Sequence, residues 1–151
     1  MQIKRLGIED RILAWRTITK LKTEMLAGIR AELKAEYLEG FLRRDENYFL
    51  TALVDEEPIG FALAYQLMRV DRNQDMMFFY EIVVDRKYRN KGVGKALIRY
   101  LKRICRANRI AKMWVLTNKS NAAAVALYAS TGGIENTDGD EVSFTYFPPF
   151  D

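Results

Sequence analysis

Histidine is absent from this 151-residue chain, and cysteine occurs only once, as Cys105. Histidine is the most common general base near neutral pH and a frequent zinc ligand. Without it, and with a single cysteine, the chain cannot build a Cys–His metal site, a Cys–His nucleophilic pair or an intrachain disulfide. Catalysis by this chain must therefore use carboxylates, tyrosine, amides or the backbone, and we expect no metal site.

Long apolar runs are missing as well. The first residues are charged and lack the apolar core of a signal peptide. No run approaches the ~20 apolar residues that cross a bilayer. Proline occurs three times, and no linker rich in proline, glycine or serine divides the chain. We therefore expect a single domain over residues 1–151, located in the cytoplasm and without a membrane partner.

Acidic residues are absent from the segment between Arg86 and Lys112, which holds eleven of the 24 lysine and arginine residues. This asymmetry predicts an anionic partner for that segment and, more weakly, a cationic partner for the rest of the chain. A basic, solvated helix face explains the segment equally well. A nucleic-acid-binding module is a further interpretation. However, Tyr88 and Tyr100 are too widely separated to form a base-stacking pattern, so we expect no nucleic-acid partner.

Apolar periodicity predicts a mixed sheet covered by helices, an α/β fold. The run 76–84 is apolar except for Glu81, as is typical of a strand covered on both faces. In chain order the predicted elements are an extended segment at residues 2–6, helices at Ile8–Lys22 and Ile29–Arg44, strands at Tyr48–Val54, Ile59–Met68 and Met76–Val84, a helix at Gly92–Ala107, a strand at Lys112–Thr117, a helix at Ser120–Ser130 and a strand at Glu141–Phe147.

The segment that follows the strand at 76–84 combines glycine with positive charge. Gly92 and Gly94 have no side chains, so their backbone can approach a ligand closely. The first amides of a helix point outward and favour anions. The nearby cationic residues are Arg89, Lys91 and Lys95. Together these features predict a pyrophosphate site. A turn glycine before an ordinary helix is the alternative, because the segment lacks the complete Rossmann and P-loop patterns.

Two motifs resemble those of a known family. Arg89-x-x-Gly92-x-Gly94 opens a helix after a strand and resembles the acetyl-CoA pyrophosphate motif of the GNAT superfamily of N-acetyltransferases. Asn121 is followed seven residues later by Tyr128 and then by Gly132, which is similar to the second signature of that superfamily. The element order resembles the GNAT fold over essentially the whole chain. The resemblance therefore implies a mixed, mostly antiparallel sheet of six to seven strands flanked by about four helices.

The resemblance also implies acetyl-CoA as co-substrate and roles for the matching residues. Ile82, Val83 and Val84 correspond to the strand that pairs with the pantetheine arm. The segment corresponding to the pyrophosphate cradle consists of Arg89, Asn90, Lys91, Gly92, Val93, Gly94 and Lys95. Asn121 corresponds to a residue that contacts the cofactor, and Tyr128 to a tyrosine near the thioester sulfur. Gly133 departs from the family, which usually has an aromatic residue there.

Acetyl transfer to an amine requires a base for the amine, a donor for the oxyanion and a proton for the departing thiolate. Glu81 is the predicted base because it is the only charged residue in its apolar run. Its alternative role is that of an edge-facing carboxylate or a structural partner of an arginine. A backbone amide near Val83 is the predicted oxyanion donor. Tyr128 is the predicted acid, and packing on a helix face is its alternative role.

Two GNAT subfamilies resemble the chain and leave the acceptor open. Residues 120–128 resemble the ribosomal-protein N-terminal acetyltransferases, although those place a glutamate base where Leu116 stands. Residues 37–44 and 79–84 resemble the aminoglycoside 3-N-acetyltransferases, which have an acidic residue at the position of Glu81. An acidic surplus outside the basic segment between Arg86 and Lys112 suits a polycationic sugar. Candidate acceptor contacts are Glu32, Glu36, Glu39, Asp138, Asp140 and Glu141.

From these features we predict a small cationic amine as acceptor, with aminoglycosides named first. An N-terminal peptide is the alternative acceptor. A degenerate domain that binds CoA without catalysis is the alternative function. The resemblance also suggests a homodimer.

Overall fold

Five strands form one sheet, in the spatial order β1-β2-β3-β4-β5, in the computed structural model, which describes residues 1–26 and 33–136. The strands are β1 (Gln2–Leu6), β2 (Asn47–Val54), β3 (Glu57–Leu67), β4 (Met76–Val84) and β5 (Lys112–Trp114). The first four pair antiparallel, and β4 pairs with β5 in parallel. The predicted mixed, mostly antiparallel sheet is confirmed with five strands instead of six to seven in the described residues. The strand predicted at 141–147 lies outside them.

Four α-helices flank this sheet in the described part of the chain: α1 (Arg11–Leu26), α2 (Ala35–Leu42), α3 (Val93–Ala107) and α4 (Ala122–Ser130). Short 3-10 turns at Ile8–Asp10 and Arg86–Tyr88 precede α1 and α3. The helix predicted from Ile29 begins later, at Ala35, because Lys34 has an extended backbone. Residues 29–32 of that prediction lie outside the described ranges.

Each face of the sheet buries its own apolar cluster, since side chains alternate between faces along a strand. On one face, which we call the α1 face, Phe49 and Phe61 pack with Leu38 and Leu42 of α2. On the opposite face, called the α3 face, the strands pack against α3. The fully or nearly fully buried residues there include Leu50, Ala62, Met77, Phe79, Leu97, Ile98 and Leu101. The sheet is therefore covered on both sides, as the apolar run at 76–84 predicted.

Strands β4 and β5 separate soon after they begin. Their pairing covers three residues on each strand and ends at Phe78 and Trp114. Strand β4 continues to Val84, whereas β5 ends, so the predicted strand to Thr117 is too long. Among the described residues, β4 has no strand neighbour on the β5 side after Phe78. We call this stretch, residues 79–84, the open edge, because its outward backbone groups face a gap in the sheet.

Candidate active site

The open edge begins with a β-bulge. Leu63 of β3 is opposite Glu81, and Ala64 is opposite Phe79, so Tyr80 is an extra residue on β4. A bulge bends its strand and re-aims the side chains beside it. After the bulge, the regular ladder with β3 resumes. Along an antiparallel strand, backbone groups that do not bond to the partner point to the other side. Some N–H and C=O groups of the open edge therefore face the gap.

The loop after β4 is fixed by its own hydrogen bonds. The carboxylate of Asp85 accepts a hydrogen bond from the amide of Lys87 at 2.9 Å. Nε of Arg89 donates to the carbonyl of Val84 at 3.2 Å, which holds the guanidinium at the end of the open edge. The ammonium of Lys91 lies 5.5 Å from the centre of the Tyr88 ring. These contacts place positive charge between the end of β4 and the start of α3.

The residue before helix α3 is Gly92, and its backbone conformation favours glycine. Gly92 has φ of 84°, in the left-handed region that disfavours other residues. The first helical hydrogen bond runs from Ala96 to the Gly92 carbonyl at 2.9 Å, so the preceding amides have no partner within the helix. A Cβ at Gly92 would meet no atom within 4 Å. The space into which that Cβ would project is therefore open, as a pyrophosphate bound next to this glycine would require.

Gly94 has a packing function that sequence reasoning did not identify. A Cβ there would lie 2.9 Å from a methyl group of Leu127 on α4 and 3.7 Å from Ile82. The missing side chain thus allows the start of α3 to approach α4 and the open edge. A direct contact of Gly94 with a ligand stays a prediction.

Tyr128 lies on the α3 face of the sheet. Its ring centre is 5.9 Å from that of Phe79 on the open edge, with the two rings nearly perpendicular. Burial raises the pKa of Tyr128 above its ordinary value, so the phenol stays protonated at neutral pH and can donate a proton. Tyr128 also lines a cavity of about 470 Å³ between β5 and the end of α4.

Two further residues of the second motif have structural functions. The side chain of Asn121 accepts a hydrogen bond from the amide of Ala124 at 3.2 Å and so caps α4. This function does not require the predicted cofactor contact, which stays a prediction. The amide of Gly133 donates to the carbonyl of Tyr128 at 2.9 Å. A Cβ at Gly133 would lie 2.9 Å from the same oxygen, so any side chain at this position would require the backbone at Tyr128 to shift.

Glu81 lies on the α1 face and forms an ion pair. Its Oε2 is 2.8 Å from Nζ of Lys22 on α1, and the two side chains are 16% and 23% exposed. The buried Oε2 has no well-aligned hydrogen bond in the described structure, so the contact is an ion pair. The ion-pair partner of Glu81 is thus a lysine, whereas the alternative role given above named an arginine. Nothing in the sequence around Lys22 signals this contact.

The two predicted catalytic residues flank the gap from opposite sides. Glu81 contacts α1, whereas Tyr128 packs on the α3 face against Phe79. The structure therefore does not bring the carboxylate and the phenol together on one face. It places them on the two sides of the same stretch of β4, with the open edge between the carboxylate and the phenol.

Four aromatic side chains, which we call the aromatic row, lie next to Glu81. They are Tyr65, Tyr80, Phe78 and Trp114, with successive ring centres 5.7, 5.8 and 5.2 Å apart. Tyr65 also contacts Phe41 of α2, which places the row on the α1 face. Burial, followed by the nearby Tyr80, Tyr37 and Glu81, raises the pKa of Tyr65. Sequence reasoning missed the row, although the spacing of Phe78 and Tyr80 was a usable signal.

Of the predicted acceptor contacts, only Glu36 and Glu39 lie in the described ranges. Glu39 forms ion pairs with Arg11 and Arg43, both at 3.7 Å, and Glu36 is exposed. Within residues 1–26 and 33–136, no group of three or more histidine, cysteine or acidic residues is placed to hold a metal ion. No helix in the same ranges is both long and apolar enough to span a bilayer.

Comparison with known proteins identifies similar enzymes. Over 77 residues, 51% of this chain, it is 35% identical to [ribosomal protein bS18]-alanine N-acetyltransferase of Escherichia coli (strain K12), of which the match covers 49%. The chain thus spans about half the length of this curated relative. An uncharacterized N-acetyltransferase of Methanocaldococcus jannaschii is 31% identical over 64% of this chain and 43% of its own length.

Solved structures share the fold over nearly the whole chain. An aminoglycoside acetyltransferase from an uncultured soil metagenomic sample, in complex with trehalose, aligns with a TM-score of 0.84 at 21% identity, covering 97% of this chain and 94% of that one. Ribosomal-protein-alanine N-acetyltransferase from Brucella melitensis biovar Abortus 2308 aligns with a TM-score of 0.74 at 21% identity, covering 97% and 99%.

The sequence profile of the acetyltransferase (GNAT) family matches residues 14–132. That range includes the open edge, the start of α3 and all of α4. It covers well over half of the chain, which therefore belongs to the acetyltransferase (GNAT) family, whose enzymes use acetyl-CoA to acetylate amines.

Proposed function

We propose that this protein transfers the acetyl group of acetyl-CoA to a primary amine of a small cationic acceptor, with aminoglycosides as the first class to test. The observation that carries the proposal is the open edge, which is followed, after the short turn at Arg86–Tyr88, by the amides at the start of α3 that have no partner within the helix. An extended arm that ends in a diphosphate matches both features. The arm can bond to strand-edge backbone groups, and the diphosphate can bind to the amides that open a helix.

In this proposal the co-substrate is held mainly by the backbone. The backbone groups of Ile82–Val84 bond to the pantetheine arm along the gap. The amides of Val93, Gly94 and Lys95 donate to the pyrophosphate. The cationic side chains around it, those of Arg89, Lys91 and Lys95, are all exposed at this end of the sheet. Asn90, whose φ is 60°, turns the chain between Arg89 and Lys91.

Glu81 acts as the general base, directly or through a water molecule. It lies at the open edge on the α1 face, where an amine approaching from that side meets the thioester. A backbone amide near Val83 donates to the oxyanion that forms when the amine attacks. Tyr128, on the α3 face, donates its proton to the departing thiolate. The raised pKa of Tyr128 keeps that proton available above neutral pH.

The aromatic row supports a cationic acceptor. Its rings lie on the same face as Glu81, and Tyr80 is 55% exposed. Aromatic faces attract ammonium groups, by about 0.5–1 kcal/mol at exposed sites. A polyamine or aminoglycoside presents several ammonium groups. One of them can donate its proton to Glu81 while another lies over the row.

An N-terminal peptide is the second candidate acceptor. The 35% identity to an alanine N-acetyltransferase of a ribosomal protein favours it. Against it, Leu116 stands where those enzymes are expected to have a glutamate base, and this residue is 72% exposed beyond the end of β5.

A thiol-release assay with acetyl-CoA tests the proposal. The acceptor panel contains aminoglycosides, linear polyamines and peptides that begin with alanine. Turnover of a cationic small molecule supports the proposal, and exclusive turnover of a peptide supports the second candidate. Binding of acetyl-CoA without thiol release from any amine indicates a degenerate CoA-binding domain. Absence of CoA binding contradicts the proposal, because every step of the proposal requires the bound co-substrate.

A further inference from the structure

An amine of the chain itself, that of Lys22, lies beside Glu81. Nζ of Lys22 lies 2.8 Å from Oε2 of Glu81, the proposed base. A general base must lie within about 2.6–3.2 Å of the proton donor that it serves, or reach it through one water molecule. Lys22 therefore already has the distance that an external amine would need to lose its proton directly to Glu81.

We propose that Lys22 is a self-acetylation site, an inference that rests on the proposed acetyltransferase function. In the described part of the chain, Lys22 is the only residue that forms an ion pair with Glu81. Its side chain is 23% exposed, so its amine is held at the site and is not freely solvated. Glu81 itself belongs to the open edge, along which the thioester is proposed to lie.

The reaction balances without a further reactant. The Lys22 ammonium gives one proton to the Glu81 carboxylate, and the neutral amine attacks the carbonyl carbon of the acetyl thioester. A C–N bond forms, the attacking nitrogen loses its second proton, and the C–S bond breaks. The thiolate leaves with a proton from Tyr128 or water, and the second nitrogen proton replaces the one that this donor gave up. The products are acetyl-Lys22 and free CoA thiol, and the proton on Glu81 passes to solvent. Acetylation also removes the positive charge that faces Glu81.

A second lysine on the same helix provides a matched control. Nζ of Lys20 lies 2.9 Å from a carboxylate oxygen of Glu57, and the Lys20 side chain is 37% exposed. Glu57 is six residues along β3 from Leu63, the residue opposite Glu81, which is about 20 Å at the rise of a strand. Lys20 thus has a similar ion pair and greater exposure, but it is remote from the open edge.

The test follows the intact mass of the purified chain after acetyl-CoA is added without any amine acceptor, and peptide mapping locates the modification. We expect the mass of one acetyl group to be added at Lys22 at a rate independent of protein concentration, with Lys20 unmodified. Glu81→Gln should slow modification of Lys22 by about a hundredfold. Lys22→Arg, which keeps a cation beside Glu81 but lacks the amine, should gain no acetyl group.

Three outcomes overturn the inference. Equal modification of Lys20 and Lys22, unchanged by Glu81→Gln, shows non-enzymatic chemistry at surface amines. Turnover of an external amine while Lys22 stays unmodified refutes self-acetylation and leaves the proposed function standing. Absence of both CoA binding and external turnover removes the proposed function and the inference together.

Discussion

Replacing Gly92 with alanine separates the conformational function of this residue from its ligand function. Gly92 has φ of 84°, and placing a residue with a side chain in the left-handed region costs roughly 1–2 kcal/mol. A Cβ there would meet no atom within 4 Å, so no steric cost is added. For a domain of this size, that loss lowers the melting temperature by about 2–8 °C.

The effect of Gly92→Ala on co-substrate affinity is a separate quantity. In our account the new methyl group enters the open space beside the first amides of α3, where the pyrophosphate binds. Losing one charge-assisted hydrogen bond there costs about 1.5–3 kcal/mol, which weakens binding about ten- to a hundredfold. Isothermal titration calorimetry with CoA measures this change directly, at a temperature where both proteins are folded.

Gly132→Ala is the matched control. Gly132 has φ of 85°, and a Cβ there would lie 3.6 Å from Nζ of Lys102, an ordinary contact. Its conformational cost should equal that of Gly92→Ala, while CoA affinity should stay unchanged because Gly132 follows α4, away from the start of α3. Equal losses of CoA affinity in both variants, or none in either, would refute the reasoning about Gly92.

Three further predictions concern catalysis and stability. Glu81→Gln should lower kcat by about a hundredfold or more with CoA affinity retained, measured by thiol release and calorimetry; an unchanged kcat would exclude Glu81 as the base. Tyr128→Phe should lower kcat by about a hundredfold. Because burial raises the pKa of Tyr128, the wild-type activity that depends on its proton should persist until the pH exceeds the ordinary pKa of tyrosine. If Tyr128→Phe and the wild type have equal kcat at every pH, Tyr128 has only a packing function. Leu101→Ala, at a fully buried position, should lower the free energy of unfolding in urea by about 2–5 kcal/mol. Leu116→Ala, at a position 72% exposed, should change it by less than about 0.5 kcal/mol. Similar losses in the two variants would contradict the assigned core.

Local sequence signals were sufficient for most of the fold. The period-two and period-3.6 patterns located β2, β3, β4, α3 and α4 to within about two residues, because each of these elements buries one face or both. The predicted end of β5 was wrong because the length of a strand depends on the partner with which it pairs. Val115 continues the apolar pattern, yet the pairing of β4 with β5 ends at Phe78 and Trp114, so within residues 1–26 and 33–136 no β4–β5 ladder continues beyond them.

The candidate site was predictable where it depends on local backbone chemistry. Gly92 illustrates this, since a glycine before a basic helix start predicted first amides without a partner within the helix, although not the left-handed φ of 84°. Contacts between distant residues were not predictable. The Lys22–Glu81 pair joins residues on α1 and β4, and the function of Gly94 depends on Leu127 of α4. Both require knowledge of how helices dock on the sheet, which one sequence does not contain.

The most direct test of the central claim is amide hydrogen exchange with and without CoA. CoA should protect the amides of the open edge, above all Ile82–Val84, together with those of Val93–Lys95 at the start of α3. Amides of β1, which lies at the far side of the sheet, should be unaffected. If CoA binds while neither segment gains protection, the open edge is not the co-substrate site, which contradicts the proposed binding of the pantetheine arm and the pyrophosphate.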